Sequence, residues 1–275
     1  MGYKVIIEPG RSEKNYWKDI WRYRELFYIL SWRDIKVRYK QNTIGVLWAI
    51  IRPLLTMIVF TYVFGRLAHM KTEGAAPYAI MVFAGLLPWQ FFANALSESS
   101  NSLVDNERLI TKVYFPRVII PASSVVTSSI DFVISFIILL VLFAFYSYLP
   151  PLNILLIPVF MLMAFAAAFG PGLYLTALNV KFRDFRYIIP FVVQFGLYVS
   201  PVGFSSNIIP KQWQWLYAVN PMVGVIDAFR WCIVKGAPNP FIHLPFYISL
   251  FVIIFFIGIS IRRFRRTERT FADLI

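Results

Sequence analysis

The chain has one cysteine, two histidines and only 14 acidic residues in a length of 275. A lone Cys232 can form neither an intrachain disulfide nor a cysteine-based metal cluster, and is most simply a small buried apolar residue. His69 and His243 have no Cys or His companion at metal-ligand spacing. Three chemical motifs are missing as well. No G-x-x-x-x-G-K-[ST] is present to cradle nucleotide phosphates, no H-E-x-x-H to hold zinc, and no G-x-S-x-G to present a nucleophilic serine. Charged residues make up only 15%, well below the soluble average.

What is present in excess is hydrophobicity, at 59% of residues, with 18% aromatic. Six apolar stretches lie near 44–65, 78–97, 118–148, 154–178, 187–204 and 244–261. Crossing hydrocarbon as a helix takes roughly 20 residues, so six spans leave no room for a separate soluble domain. With a cytoplasmic N-terminus, the inner segments carry 21 Lys and Arg, and the outer ones only Arg66, Lys71, Lys211, Arg230 and Lys235. That asymmetry demands an even number of crossings with both ends cytoplasmic. The net charge of +13 therefore answers to membrane insertion and anionic headgroups, and no nucleic-acid partner is expected. Residues 1–43 are too charged to be a secretory signal. The expectation is an all-α polytopic membrane protein, a single domain over 1–275, with spans between 44 and 261 and a cytoplasmic tail at 262–275.

Residues 17–40 read as an amphipathic helix. Trp17, Trp21, Tyr28, Trp32, Ile35 and Tyr39 share an arc of about 60° at 100° per residue, with a basic arc beside it. Such a helix lies at headgroup level, either as a plain anchor or with its polar face receiving a soluble partner. Arg52-Pro53 falls inside the first span, roughly 12 Å in from Ile44. Arg52 either snorkels to the surface or faces a wet cavity. Ser124, Ser128, Asp131 and Ser135 share one face of the third span. Asp131 lines a cavity, bonds a neighbouring helix or pairs with Arg52. On the fifth span Tyr187, Phe191, Phe195 and Tyr198 form an aromatic stripe, which suits membrane packing or the stacking of sugar rings.

The segment 205–243 is too polar and Pro-rich to cross, and too apolar for an ordinary loop. Two half-helices dipping in from the outer face fit it, with Asp227 and Arg230 most simply a local ion pair. Two inner loops, 101–117 and 179–186, are mixed-charge and aromatic, which suits docking to a soluble surface; Pro116 stops a short helix in the first.

The run Trp32-Arg33-Asp34-Ile35-Lys36-Val37-Arg38-Tyr39-Lys40-Gln41, continued by Gly45-Val46-Leu47-Trp48-Ala49, Pro53-Leu54 and Val63-Phe64-Gly65, resembles the opening signature of the ABC-2 type permeases of polysaccharide export. The likeness is closest to the O-antigen exporter membrane subunit. Leu109–Arg117 and Asn179–Asp184 look like that family's cytoplasmic loops, and Ser200-Pro201 with Asn220-Pro221 like its outer gate.

The resemblance implies a transport subunit and not an enzyme. It would be a homodimer, joined by two copies of a P-loop ATPase that bind the ATP and Mg this chain does not, so that the chain has no cofactor of its own. Glu107, Arg108, Leu109, Ile110, Thr111, Lys112 and Tyr114 would form the coupling helix. Trp32, Arg33, Lys36 and Arg38 would mark the interface helix. Arg52, Asp131, Phe191, Phe195 and Tyr198 would mark the pathway, and Pro201, Pro221, Asp227 and Arg230 the outer gate. The cargo would be a polyprenyl-diphosphate-linked glycan in the cytoplasmic membrane. The same fold exporting teichoic acid, capsule or another lipid or drug is the alternative. A membrane glycosyl- or acyltransferase would have only His69, Glu73, Asp227 and His243 to work with. A secondary transporter is disfavoured by the lack of an inverted repeat.

Overall fold

The computed structural model describes residues 16–40, 43–182, 184–268 and 271, and the regular elements among them are all helical. The amphipathic segment is two helices, α1 (Tyr16–Arg22) and α2 (Arg24–Lys40). The break between them is slight, since Tyr23 N–H still bonds the Asp19 carbonyl at 3.0 Å. Trp17, Trp21 and Tyr28 are exposed while Leu30 and Ser31 are buried, so one face packs inward and an aromatic face is left outside. The first span, α3 (Thr43–Phe60), runs on as a π-helical turn, Thr61–Leu67. Then come α4 (Tyr78–Asp105), the short α5 (Glu107–Lys112), α6 (Ile119–Phe145) and α7 (Ile157–Lys181). The last four are α8 (Phe185–Val199), α9 (Gln214–Tyr217), α10 (Pro221–Ile233) and α11 (Leu244–Thr267).

Among the described residues, five helical segments are long and apolar enough to cross a bilayer: Leu47–Leu67, Tyr78–Asp105, Ile119–Phe145, Leu152–Lys181 and Leu244–Thr267. The sixth expected span, 187–204, is α8, whose 15 residues rise about 22 Å against roughly 30 Å of hydrocarbon. Pro201 ends it early: Ser200, the residue before it, turns to extended backbone with ψ 152°. Beyond it, the two expected half-helices reduce to one. Pro210 precedes single turns and the four-residue α9, and only α10 is a full helix. Asn220 caps α10 by accepting the Met222 N–H at 3.0 Å, with Pro221 in the first turn.

α4 is the central helix, since 78% of its most apolar window is buried against 17% for Leu47–Leu67. Its contact with α7 uses small and polar residues. Gly172 admits Ser99 so closely that a Cβ there would sit 2.9 Å from the Ser99 hydroxyl. Thr176 donates to the Ser99 carbonyl at 2.8 Å, and Asn179 to the Ser100 carbonyl at 3.0 Å. Without a hydrophobic driving force between helices in lipid, such close approach and hydrogen bonding carry association.

Two apolar cores result. The larger joins α4, α6, α7, α10 and α11. The smaller gathers Leu30 of α2, Leu103, Ile110 of α5, Ile119, Leu173, and Phe264 with Phe271. Arg265 lies 4.7 Å over the Tyr16 ring, so the two ends of the described chain meet at one end of the bundle.

Candidate functional site

Between α3, α4, α6 and α8 lies a cavity of about 680 Å³. Trp48, Arg52, Pro53 and Thr56 line it from α3, and Trp89, Gln90, Asn94 and Ser97 from α4. Asp131 and Ser135 contribute from α6, and Pro190, Val193, Gln194, Leu197 and Tyr198 from α8. Rings, amides and hydroxyls therefore alternate around one space.

The α2 end of the cavity is closed by a polar cluster centred on Arg38. Its guanidinium pairs with Glu98 of α4 and, at 2.6 Å, with Asp131 of α6. Asp131 also accepts the Tyr39 hydroxyl and, at 3.1 Å, the Asn94 amide. Ser128 donates to the other Glu98 oxygen at 3.1 Å. An acid inside a span is tolerated when it is paired and hydrogen-bonded, and Asp131 has a cation and two further donors. It both lines the cavity and ties helices together. Its cation is Arg38 of the surface helix and not Arg52, which lines the cavity and is in no ion pair among the described residues.

At the end where the chain termini meet, α5 matches the expected short helix at 107–112; Tyr114 lies just beyond it. Ile110 anchors it in the smaller core, whereas Glu107, Arg108, Thr111 and Lys112 are exposed and Leu109 is half-buried. Arg33 reaches across from α2 to the Asn106 side chain at 2.8 Å while holding Asp34 at 2.7 Å. Arg117 N–H bonds the Glu268 carboxylate at 2.7 Å. Lys36 lies 5.3 Å over the Trp32 ring. The loop, α2 and the end of α11 thus present one continuous surface. In the loop at 179–186, Arg183 lies outside the described residues, and Arg186 reaches Asp105 at 3.6 Å.

At the opposite end Arg230 is fully buried. It donates to the Val202 carbonyl at 2.9 Å and the Phe204 carbonyl at 2.7 Å, and its ion-pair partner, at 4.0 Å, is Glu73. Ser205 donates to the same Glu73. The expected Asp227–Arg230 pair is not among the ion pairs, because the guanidinium turns to the carbonyls after the buried Pro201. One Asp227 oxygen is buried without a hydrogen bond. Burial, then the nearby Glu73 charge, pushes its carboxyl up to about 7.

A family profile described as ABC-2 type transporter matches residues 25–234. The chain belongs to the ABC-2 type transporter family. This ABC-2 chain is 27% identical over 253 residues to the O-antigen export system permease protein RfbA of Klebsiella pneumoniae, covering 91% of the chain and 95% of that protein. It is 29% identical over 215 residues to the Myxococcus xanthus protein of the same name, with 78% and 82% covered. It is 23% identical over 235 residues to the polysialic acid transport protein KpsM of Escherichia coli, with 85% and 90% covered.

Of the residues singled out for a pathway in this ABC-2 chain, Arg52, Asp131 and Tyr198 share the cavity. Phe191 and Phe195 stack on each other at 6.3 Å on the exposed side of α8, outside it. The residues expected at a gate lie close together, with Arg230 holding the backbone that follows Pro201 and Asp227 on the same α10 that Pro221 opens. Sequence reasoning gave no site role to Glu98, Tyr39, Gln90 or Gln194, although Tyr39 stood in the aromatic arc of the 17–40 helix and Glu98 in the polar end of the second span. The polar end of the second span, Asn94-Ser97-Glu98, was the available signal for the first. Glu73 was noted only as an acid on an outer loop, with nothing to join it to Arg230, 157 positions later.

Proposed function

We propose that this chain is the membrane subunit of an ATP-driven exporter of polysaccharide, acting as two copies with two copies of a separate P-loop ATPase that binds ATP and Mg. The observation that carries the reading is the likeness of nearly the whole chain to permeases named for O-antigen export. Relatives named for polysialic acid transport and capsule polysaccharide export favour a polysaccharide over a drug. The cargo is a glycan still attached to a polyprenyl diphosphate, in the cytoplasmic membrane.

The geometry supports a route for force. α5, α2 and the end of α11 form the surface on which the ATPase sits, with the Glu107–Lys112 helix as its contact. Arg38 then connects that surface to α4 and α6 at the cavity. Packed interfaces switch between discrete arrangements, so a shift of α2 moves the cavity walls as a unit. α8 crosses as a short sixth span, with both termini cytoplasmic; the contact of Tyr16 with Arg265 supports an even number of crossings. α10 dips in from the outer face, and Arg230 keeps the segment after Pro201 folded over the cavity's outer end.

The test is loss and restoration of surface polysaccharide in cells lacking the chain. A Glu107→Lys/Arg108→Glu double variant should assemble with the ATPase, retain ATP hydrolysis and fail to export. Surface polysaccharide that is unchanged by deleting the chain would sink the exporter reading.

A further inference from the structure

We propose that Arg52 is an oxyanion receptor, and that the cavity binds the phosphate of a lipid-borne molecule through its guanidinium. The inference rests on the exporter reading only for the identity of that molecule. Two described cations line the cavity, Arg38 and Arg52. Arg38 is already shared by two carboxylates, Glu98 and Asp131, so its charge is already balanced there and is not left over for an anion. Arg52 has no such partner among the described residues. The one hydroxyl beside it on α3, Thr56, turns back to the Arg52 backbone carbonyl at 2.8 Å and does not occupy the side chain.

A cation at this depth in a span is unfavourable unless it is paired or solvated. Its fork of N–H donors matches a phosphate in two-point geometry. The amides of Gln90 and Gln194 open into the same cavity and supply neutral donors for the remaining oxygens. Trp48 and Tyr198 flank the space, which suits an apolar or sugar body attached to that single anionic group. The site therefore selects a compact oxyanion on an uncharged carrier. Two membrane molecules have that chemistry, a lipid-linked diphosphate and a phospholipid headgroup.

The full chain, purified into phosphatidylcholine nanodiscs, is titrated with geranylgeranyl diphosphate and with geranylgeraniol, and bound species are counted by native mass spectrometry. The diphosphate should bind and the alcohol should not. Arg52→Gln should weaken diphosphate binding by about tenfold or more, the scale of a lost charged hydrogen bond, and Arg52→Lys should restore most of it. Gln90→Glu, which adds a competing carboxylate to the cavity and leaves Arg52 in place, should weaken it similarly. Phosphatidylglycerol that displaces the probe at equal concentration assigns the site to headgroups; failure to displace assigns it to the diphosphate carrier. Equal binding to wild type and Arg52→Gln overturns the proposal, as does equal binding of the alcohol. If export depends on the chain while Arg52→Gln binds and exports normally, the receptor falls and the exporter stands. If the diphosphate binds through Arg52 but deletion leaves surface polysaccharide intact, the exporter reading falls alone.

Discussion

Arg38→Gln removes the one described cation from a cluster holding two carboxylates, and the size of the effect follows from how far those groups are covered. Arg38 is 30% exposed, Glu98 34% and Asp131 13%. Losing one partner of a fully buried pair costs about 3–5 kcal/mol, whereas an exposed pair contributes less than about 1 kcal/mol. With two pairs at about a third exposure or less, the loss should lie between these limits, at about 2–3 kcal/mol. That is roughly a 30- to 150-fold shift in the balance between docked and undocked α2. Hydrogen exchange read by mass spectrometry over 24–40 in the purified protein measures the balance directly. Amides of α2 should exchange faster by that factor while the centre of α4 stays protected. The charge argument makes a second demand. Adding Glu98→Gln and Asp131→Asn to Arg38→Gln leaves neutral amides that need no counter-ion, so much of the protection should return. Unchanged exchange in the single variant, or a triple variant as loose as the single, would refute the assignment of Arg38 as the tie between α2 and the spans.

Three further outcomes are expected. Gly74 has φ +65° and a Cβ there would meet the Lys235 carbonyl oxygen at 2.3 Å, while Gly236, at φ +85°, has room for one. Gly74→Ala should therefore lower the melting temperature clearly more than Gly236→Ala, which bears only the left-handed backbone cost of about 1–2 kcal/mol. Asp227 has a folded-state value raised to about 7 above an ordinary carboxyl, so its contribution is complete below about pH 4 and lost as pH rises through 7. Melting temperature should fall between about pH 4 and pH 7 in the wild type, level off above that, and fall less in Asp227→Asn. Replacing Phe195 and Tyr198 by Leu should slow glycan export with ATP hydrolysis maintained if the α8 rings contact cargo; normal export would assign them to packing.

Much of the fold was legible because its signals are local. Long apolar runs set the helices, Pro116 and the polar residues before it set the short helix at 107–112, and Asn220-Pro221 starts α10 by capping chemistry. Two local readings went too far. The apolar run at 187–204 includes Ser200-Pro201, which ends the helix at Val199. Pro210 and the short turns after it prevented the first half-helix. The site was less legible, since its contacts join residues far apart in sequence: Arg38 to Glu98 and Asp131, Arg230 to Glu73. Periodicity identified the aromatic stripe of α8 but is blind to which way a stripe faces. The face with Gln194 and Leu197 borders the cavity, and Phe191 and Phe195 look away from it.

The small core joining Leu30 to Phe264 and Phe271 sets a timetable for biosynthesis. The surface helix leaves the ribosome early, and the aromatic groups that complete its bed are polymerised some 230 to 240 residues later. At roughly 5–20 residues per second that interval is about 10–50 s. During it, a helix bearing Trp17, Trp21 and Trp32 has no finished seat in the bundle. The headgroup layer of the membrane is an apolar-tolerant place where such a helix can wait, and a nascent chain arrested before Phe264 should keep it there.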